Sequence, residues 1–280
     1  MKLRVSLVAG LMFLCLPAIG QAPLPEKVAV VYGQDIRYIE AGQGPTVILL
    51  HGLGATKETW LPSVGALSAK YHVYAIDQLG FGHSAKPTAE YKIGTWVDFL
   101  QGFLAAQKLE KATLVGNSLG GWIALDFTLQ HPEMVDKLVL VDSAGLTWRQ
   151  GGKMIDLNPA TIAATRTLLE SLFYDKKMVT DQFVMQAFTN HMRNSDGYTI
   201  QRTMAGLAQA SFDDDKLKTM RTPTLVVWGR EDELLAVESA ERFHVGIPGA
   251  RLIVFDHCGH VPQIEKPEEF NRAVLDFLAK

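Results

Sequence analysis

Three residues far apart in the chain carry the side chains of nucleophilic acyl chemistry: Ser118 in Gly116-Asn117-Ser118-Leu119-Gly120, Asp232 in Gly229-Arg230-Glu231-Asp232, and His260 in His257-Cys258-Gly259-His260. A serine hydroxyl attacks a carbonyl effectively only when a base takes its proton and a third group fixes that base's tautomer. His260 is the expected base and Asp232 the carboxylate that orients it. Gly116 and Gly120 suit a sharp strand-to-helix turn, where a Cβ at either position would strike the neighbouring strand or helix. The charge that develops on a substrate oxygen needs donors too. His51-Gly52-Leu53-Gly54 follows an apolar run, and its glycines let a backbone amide face the reacting centre. The N–H groups of Leu53 and Leu119 are the expected donors, with His51 bracing the loop rather than serving as base.

Each role has competitors. Asp142 directly follows another apolar run and is the best rival acid, although strand-end carboxylates often cap the next turn. Glu231 and Glu233 read as solvated neighbours. His257 sits earlier on its turn than His260, His131 precedes Pro132 at a helix end, and His72, His191 and His244 lie in no motif. The histidine spacing contains neither H-x-x-x-H nor H-E-x-x-H, which argues against zinc-assisted hydrolysis.

The elements that must position these groups show in the hydrophobic pattern. Val28 to Tyr32 and Ile36 to Glu40 alternate around Gly33-Gln34-Asp35, which reads as a β-hairpin. Short continuous apolar runs follow at Val47 to Leu50, Val73 to Ile76, Thr113 to Val115, Leu138 to Val141, Leu225 to Trp228 and Leu252 to Phe255, as in strands buried on both faces. Helical spacing lies between them, as at Thr95 to Gln107, Leu119 to Gln130 and Glu268 to Leu278. This order predicts a mainly parallel sheet wrapped by helices. Loops after parallel strands open on one sheet edge, so residues 118, 232 and 260 can converge.

About eighty residues separate the run ending at Val141 from the one starting at Leu225, far more than a crossover needs. Asn158-Pro159 reads as a helix start, and Ile162, Leu168, Leu169, Leu172 and Phe173 recur at helical spacing. Phe183, Val184, Ala187 and Phe188 do the same, as do Ile200, Met204 and Leu207. A helical cap of about three helices is therefore expected over 146–219. Its apolar stripes would either pack on the sheet or line a substrate pocket.

The basic start Met1-Lys2-Leu3-Arg4, the apolar stretch Val5 to Leu16, and small residues at Ala18 and Gly20 have the pattern of a secretory signal. Residues 1–20 are thus expected to be cleaved, with export to the periplasm or the medium. The apolar run is shorter than the roughly 20 residues that span a bilayer, so the mature chain is not expected to insert stably in a membrane. With 27 basic and 30 acidic residues and no run of Lys or Arg, nucleic acid is not an expected partner. A 48% hydrophobic composition over 280 residues supports a large core without disulfides, and Cys258 would be the only cysteine after cleavage.

Five segments taken together resemble the α/β-hydrolase-fold serine hydrolases: His51-Gly52-Leu53-Gly54, Asp77-Gln78-Leu79-Gly80-Phe81-Gly82-His83-Ser84, Gly116-Asn117-Ser118-Leu119-Gly120-Gly121, Gly229-Arg230-Glu231-Asp232 and Gly259-His260. The resemblance runs from about residue 28 to the C-terminus. It implies a mostly parallel eight-stranded α/β sheet over 21–145 and 220–280, a cap inserted after the sixth strand, a structural role for the Asp77 to Ser84 turn, and no cofactor. Serine at 118 argues against the family's dehalogenases and epoxide hydrolases, which use aspartate there. Gly116-Asn117-Ser118 and the helical cap are similar both to carbon–carbon bond hydrolases of ring-fission products and to esterases and lipases of modest chain length. Export favours the ester hydrolase, acting on a small-molecule ester through an acyl-enzyme. Carbon–carbon hydrolysis is the alternative, and a ligand-binding protein with little turnover is a third reading.

Overall fold

The computed structural model describes residues 24–146, 155–207 and 214–280. The expected signal segment 1–20 lies outside the described residues. Eight strands form one sheet: β1 (Glu26–Val31), β2 (Gln34–Ala41), β3 (Thr46–Leu50), β4 (His72–Ile76), β5 (Ala112–Asn117), β6 (Val135–Val141), β7 (Thr224–Gly229) and β8 (Arg251–Phe255), in the order β1-β2-β4-β3-β5-β6-β7-β8. The first two pairings, β1 with β2 and β2 with β4, are antiparallel, and all later ones are parallel. The hairpin turns one residue earlier than its sequence suggests. Tyr32 and Gly33 have φ of 49° and 78°, the pair of positive angles that matches strand twist in a two-residue turn.

The continuous apolar runs are explained by a sheet covered on both sides. Successive side chains of a strand point to opposite faces. Ile48, Leu50, Leu114, Leu138, Leu140, Val226 and Trp228 belong to one buried cluster, and Val47, Leu49, Val115, Val139, Val141, Leu225 and Val227 to another. Helices α2 (Ile93–Ala106) and α3 (Leu119–Gln130) contribute to the first, while α1 (Leu61–Leu67) and α9 (Pro267–Leu278) contribute to the second. Strand β8 departs from expectation: all five residues are only half-buried, because it is the sheet's outer strand.

Between β6 and β7 lie α4 (Ile162–Leu172), α5 (Asp181–Asn194) and α6 (Gly197–Leu207). Helix α4 begins later than Asn158-Pro159 suggests: Thr161 Oγ1 accepts the Ala164 N–H at 3.1 Å and caps it, whereas the Asn158 amide donates to Gly197 O at 3.2 Å. Thr180 caps α5 in the same way, accepting from Phe183 N at 3.1 Å. Leu169, Phe173, Val179 and Val184 form a small core of their own, joined by Val261, the residue after His260. The remaining helices, α7 (Glu238–Gly246) and the short α8 (Pro262–Glu265), follow β7 and β8.

Candidate active site

Ser118 stands at the junction of β5 and α3 with φ 56° and ψ −118°, a strained conformation for a residue with a Cβ. The turn is held by close backbone approach. A Cβ on Gly116 would lie 2.2 Å from Gly120 O, and one on Gly120 would lie 2.3 Å from Leu50 O. Both glycines are therefore required by the helix and by β3, as the motif implied. The Leu53 loop also comes close, since a Cβ on Gly52 would lie 3.2 Å from Ser118 Cβ. Leu119 opens α3, where helix N–H groups lack intrahelical acceptors.

Asp232 and His260 meet directly. His260 Nδ1 lies 2.7 Å from Asp232 Oδ2, and Asp232 Oδ1 accepts the N–H groups of Leu234 at 2.8 Å and Leu235 at 2.9 Å. These three contacts fix the carboxyl group, and its bond to Nδ1 selects the tautomer that carries the imidazole proton there, leaving Nε2 free to accept one. The His260 backbone is pinned from two sides: its N–H donates to Leu172 O at 2.8 Å, and its carbonyl accepts the Asn117 amide at 3.1 Å. Glu265 adds a clamp between the site and the cap, its carboxylate accepting from Gly259 N and Tyr174 N, each at 2.7 Å.

The rivals separate clearly. His257 is exposed and pairs with the Tyr174 hydroxyl at 3.1 Å. His51 is fully buried. Its Nε2 accepts from Gln78 N at 3.1 Å, so its Nδ1 donates to Gly52 O at 2.8 Å, and burial lowers its pKa. Asp142 does not take the place of Asp232 but lies beside it, buried, with Oδ1 accepting from Gly229 N at 2.9 Å. Glu231 is not simply a solvated neighbour, because it accepts the Cys258 N–H at 3.0 Å. Glu233 is exposed and pairs with Lys176 at 2.7 Å. Burial pushes the Cys258 thiol far up, so it is no rival nucleophile. In the Asp77 turn, Asp77 is buried and salt-bridged to Lys57 at 2.8 Å, and its other oxygen accepts Lys57 N at 2.8 Å.

Ser118, His260, Leu53 and Leu119 all line one cavity of about 430 Å³ between the sheet edge and the cap. Leu168, Leu169, Leu172 and Phe173 give it an apolar wall, so the cap stripes line the pocket as well as packing among themselves. A polar wall was not foreseen. Gln186, Asn190 and Asn194 recur every four residues along α5 and face the cavity with His191, whose pKa burial lowers. That spacing was readable, but only as a helical polar face, which normally points to water. Asp196 also lines the cavity while being almost wholly buried.

A family model described as alpha/beta hydrolase fold matches residues 45–267. The 2-hydroxy-6-oxo-6-(2'-aminophenyl)hexa-2,4-dienoic acid hydrolase of Metapseudomonas resinovorans is 34% identical over 267 residues, covering 91% of each chain. The solved meta-cleavage product hydrolase of Pseudomonas fluorescens IP01 superposes with a TM-score of 0.82 at 31% identity, covering 90% of this chain and 97% of that one. A solved bacterial membrane phospholipase A gives a TM-score of 0.80 at 30% identity, over 91% of this chain and 86% of that one. Sheet order, the turn at Ser118 and these similarities agree: the chain belongs to the α/β-hydrolase-fold serine hydrolases.

Proposed function

We propose that the chain hydrolyses a carbon–carbon bond in a dienoate ring-fission product, with Ser118 as nucleophile, His260 as general base and Asp232 as the group that orients it. The observation that carries this reading is similarity, along nearly the whole length of both chains, to hydrolases of such dienoates. It reverses the preference for esters drawn from expected export. Ser118 Oγ adds to the ketone carbon while His260 takes its proton, and the N–H groups of Leu53 and Leu119 receive the oxyanion. The substrate reacts as its keto tautomer, the 2-hydroxyl proton having moved to the carbon beside the ketone. When the bond to that carbon breaks, its electron pair spreads through the conjugated 2-oxo acid to the 2-oxygen, which takes the proton from His260 and leaves that base free. Water, activated by His260, releases the acyl group from Ser118.

A second reading, ester hydrolysis by the same residues, is favoured by the charge of the cavity. Glu58 and Asp196 line it, each ion-paired to a lysine behind it, and no lysine or arginine among the described residues lines it to receive the carboxylate of an anionic substrate, which a neutral ester does not need. Parallel assays decide between the two: loss of a 2-hydroxy-6-oxo-dienoate chromophore against release of p-nitrophenol from esters of graded length. A higher kcat/KM on the dienoate is expected, and ester turnover with an untouched dienoate would install the second reading. Export belongs to the proposal as well. The mature chain recovered from periplasm or medium should begin at Gln21, and a chain retaining Met1 would remove that part.

A further inference from the structure

We propose that Asp142 is a positioning residue for this reaction: a neutral carboxylic acid that donates a hydrogen bond to Asp232, so that the two carboxyls together present one negative charge to His260. The inference rests on the assignment of His260 and Asp232 above. Asp142 directly follows β6 with φ 42°, in the left-handed region that residues with a Cβ seldom adopt, while its N–H donates to Val227 O at 3.0 Å. That strained backbone aims a fully buried carboxyl at the site. Carboxylate oxygens of Asp142 and Asp232 and a ring nitrogen of His260 all lie within 4.8 Å of one another.

The donors divide unequally between the two acids. Asp232 receives three, from Leu234 N, Leu235 N and the His260 ring. Asp142 receives one, Gly229 N on Oδ1, and its buried Oδ2 has no donor among the described residues. Two adjacent carboxylates both stripped of water cannot share such a site in ionised form, and the proton goes to the one with fewer donors. A hydrogen on Asp142 Oδ2 satisfies that atom and supplies Asp232 with a fourth donor. Burial raises the proton affinity of Asp142, and the charges of Asp232 and Glu265 raise it further against the opposing Gly229 N–H.

The arrangement moderates the base. A hydrogen bond from Asp142 draws charge away from the Asp232 oxygens facing His260, so its loss would stabilise the imidazolium and make Nε2 a proton acceptor only at higher pH. Two measurements test this. Infrared difference spectra of the wild-type chain against D142N at neutral pH should contain the carbonyl stretch of a neutral carboxylic acid, and only carboxylate bands would overturn the proposal. Labelling of Ser118 by a fluorophosphonate, followed across pH, should be within about twofold of wild type in D142N, whose amide still donates. In D142L the acidic limb should move up by roughly one to two pH units, the weight of a hydrogen bond to a charged group, so that labelling is ~10–100-fold slower at a fixed pH on that limb and near wild type on the plateau. Equal damage in D142N and D142L, or slower labelling in D142L without movement of that limb, would overturn it. D142A, which also lacks a donor, replaces D142L if the latter fails to fold. The infrared band needs neither substrate nor a reactive serine, so an unreactive Ser118 would sink the hydrolase reading while the band still decides about Asp142.

Discussion

The sheet edge and the cap above it enclose the same cavity but are built to different tolerances. Helix α3, which carries the Ser118 turn, buries nine of its twelve residues, whereas α5 in the cap buries only Val184. At the sheet edge a Cβ on Gly229 would lie 1.9 Å from Gly259 O. In the cap, Met185 and Met192 are half-exposed. Close packing transmits any change in volume, while a lightly packed helix absorbs it. The difference teaches that the edge fixes the geometry of reaction and the cap sets which molecule reacts.

The largest test of that division is Ser118→Ala, which should reduce kcat by ~10⁴–10⁶ while the thermal unfolding midpoint stays near wild type. Full turnover in this variant would break the assignment. Next in size, Gly116→Ala places a Cβ against Gly120 O, and displacing Ser118 by even a fraction of an ångström should cost ~10²-fold in fluorophosphonate labelling. Unchanged labelling would mean that the edge is as tolerant as the cap.

On the other side of the comparison, Asn190→Leu should change the ratio of kcat/KM for a dienoate and a p-nitrophenyl ester by ~10-fold, with labelling of Ser118 unaltered. If labelling slowed as much as turnover, the cap would be part of the reacting geometry and the division would fail. The smallest effect concerns Asp196, at the junction of α5 and α6. Burial pushes its carboxyl up to about 6 against the opposing pull of Lys86, whose ammonium is 3.6 Å away. The folded chain then binds a proton that the unfolded chain releases, so stability rises as pH falls from about 7 toward 4. Asp196→Asn should flatten that slope in thermal melts, and an unchanged slope would place its origin elsewhere.

Much of the edge was legible because its signals are local. The apolar runs mark strands, since only a sheet covered on both faces buries every residue of Val47 to Leu50 or Leu225 to Trp228. Gly116 and Gly120 mark the turn, since the backbone of the motif itself and of β3 excludes a Cβ. The cap helices were visible through their apolar spacing. Their polar cavity wall was not, because Gln186, Asn190 and Asn194 look the same whether they face water or substrate.

The sequence by itself determined the order of elements, the strained serine turn and the set of acids and histidines that could serve it. These follow from backbone preferences and from side-chain periodicity, which act over a few residues. Only the tertiary structure decided that Asp232 touches His260 while Asp142 lies behind it, and that His257 turns out to Tyr174. Asp142 and Asp232 both follow parallel strands that open on one edge. Sheet register and the path of the loops, both set by packing between distant segments, choose between them.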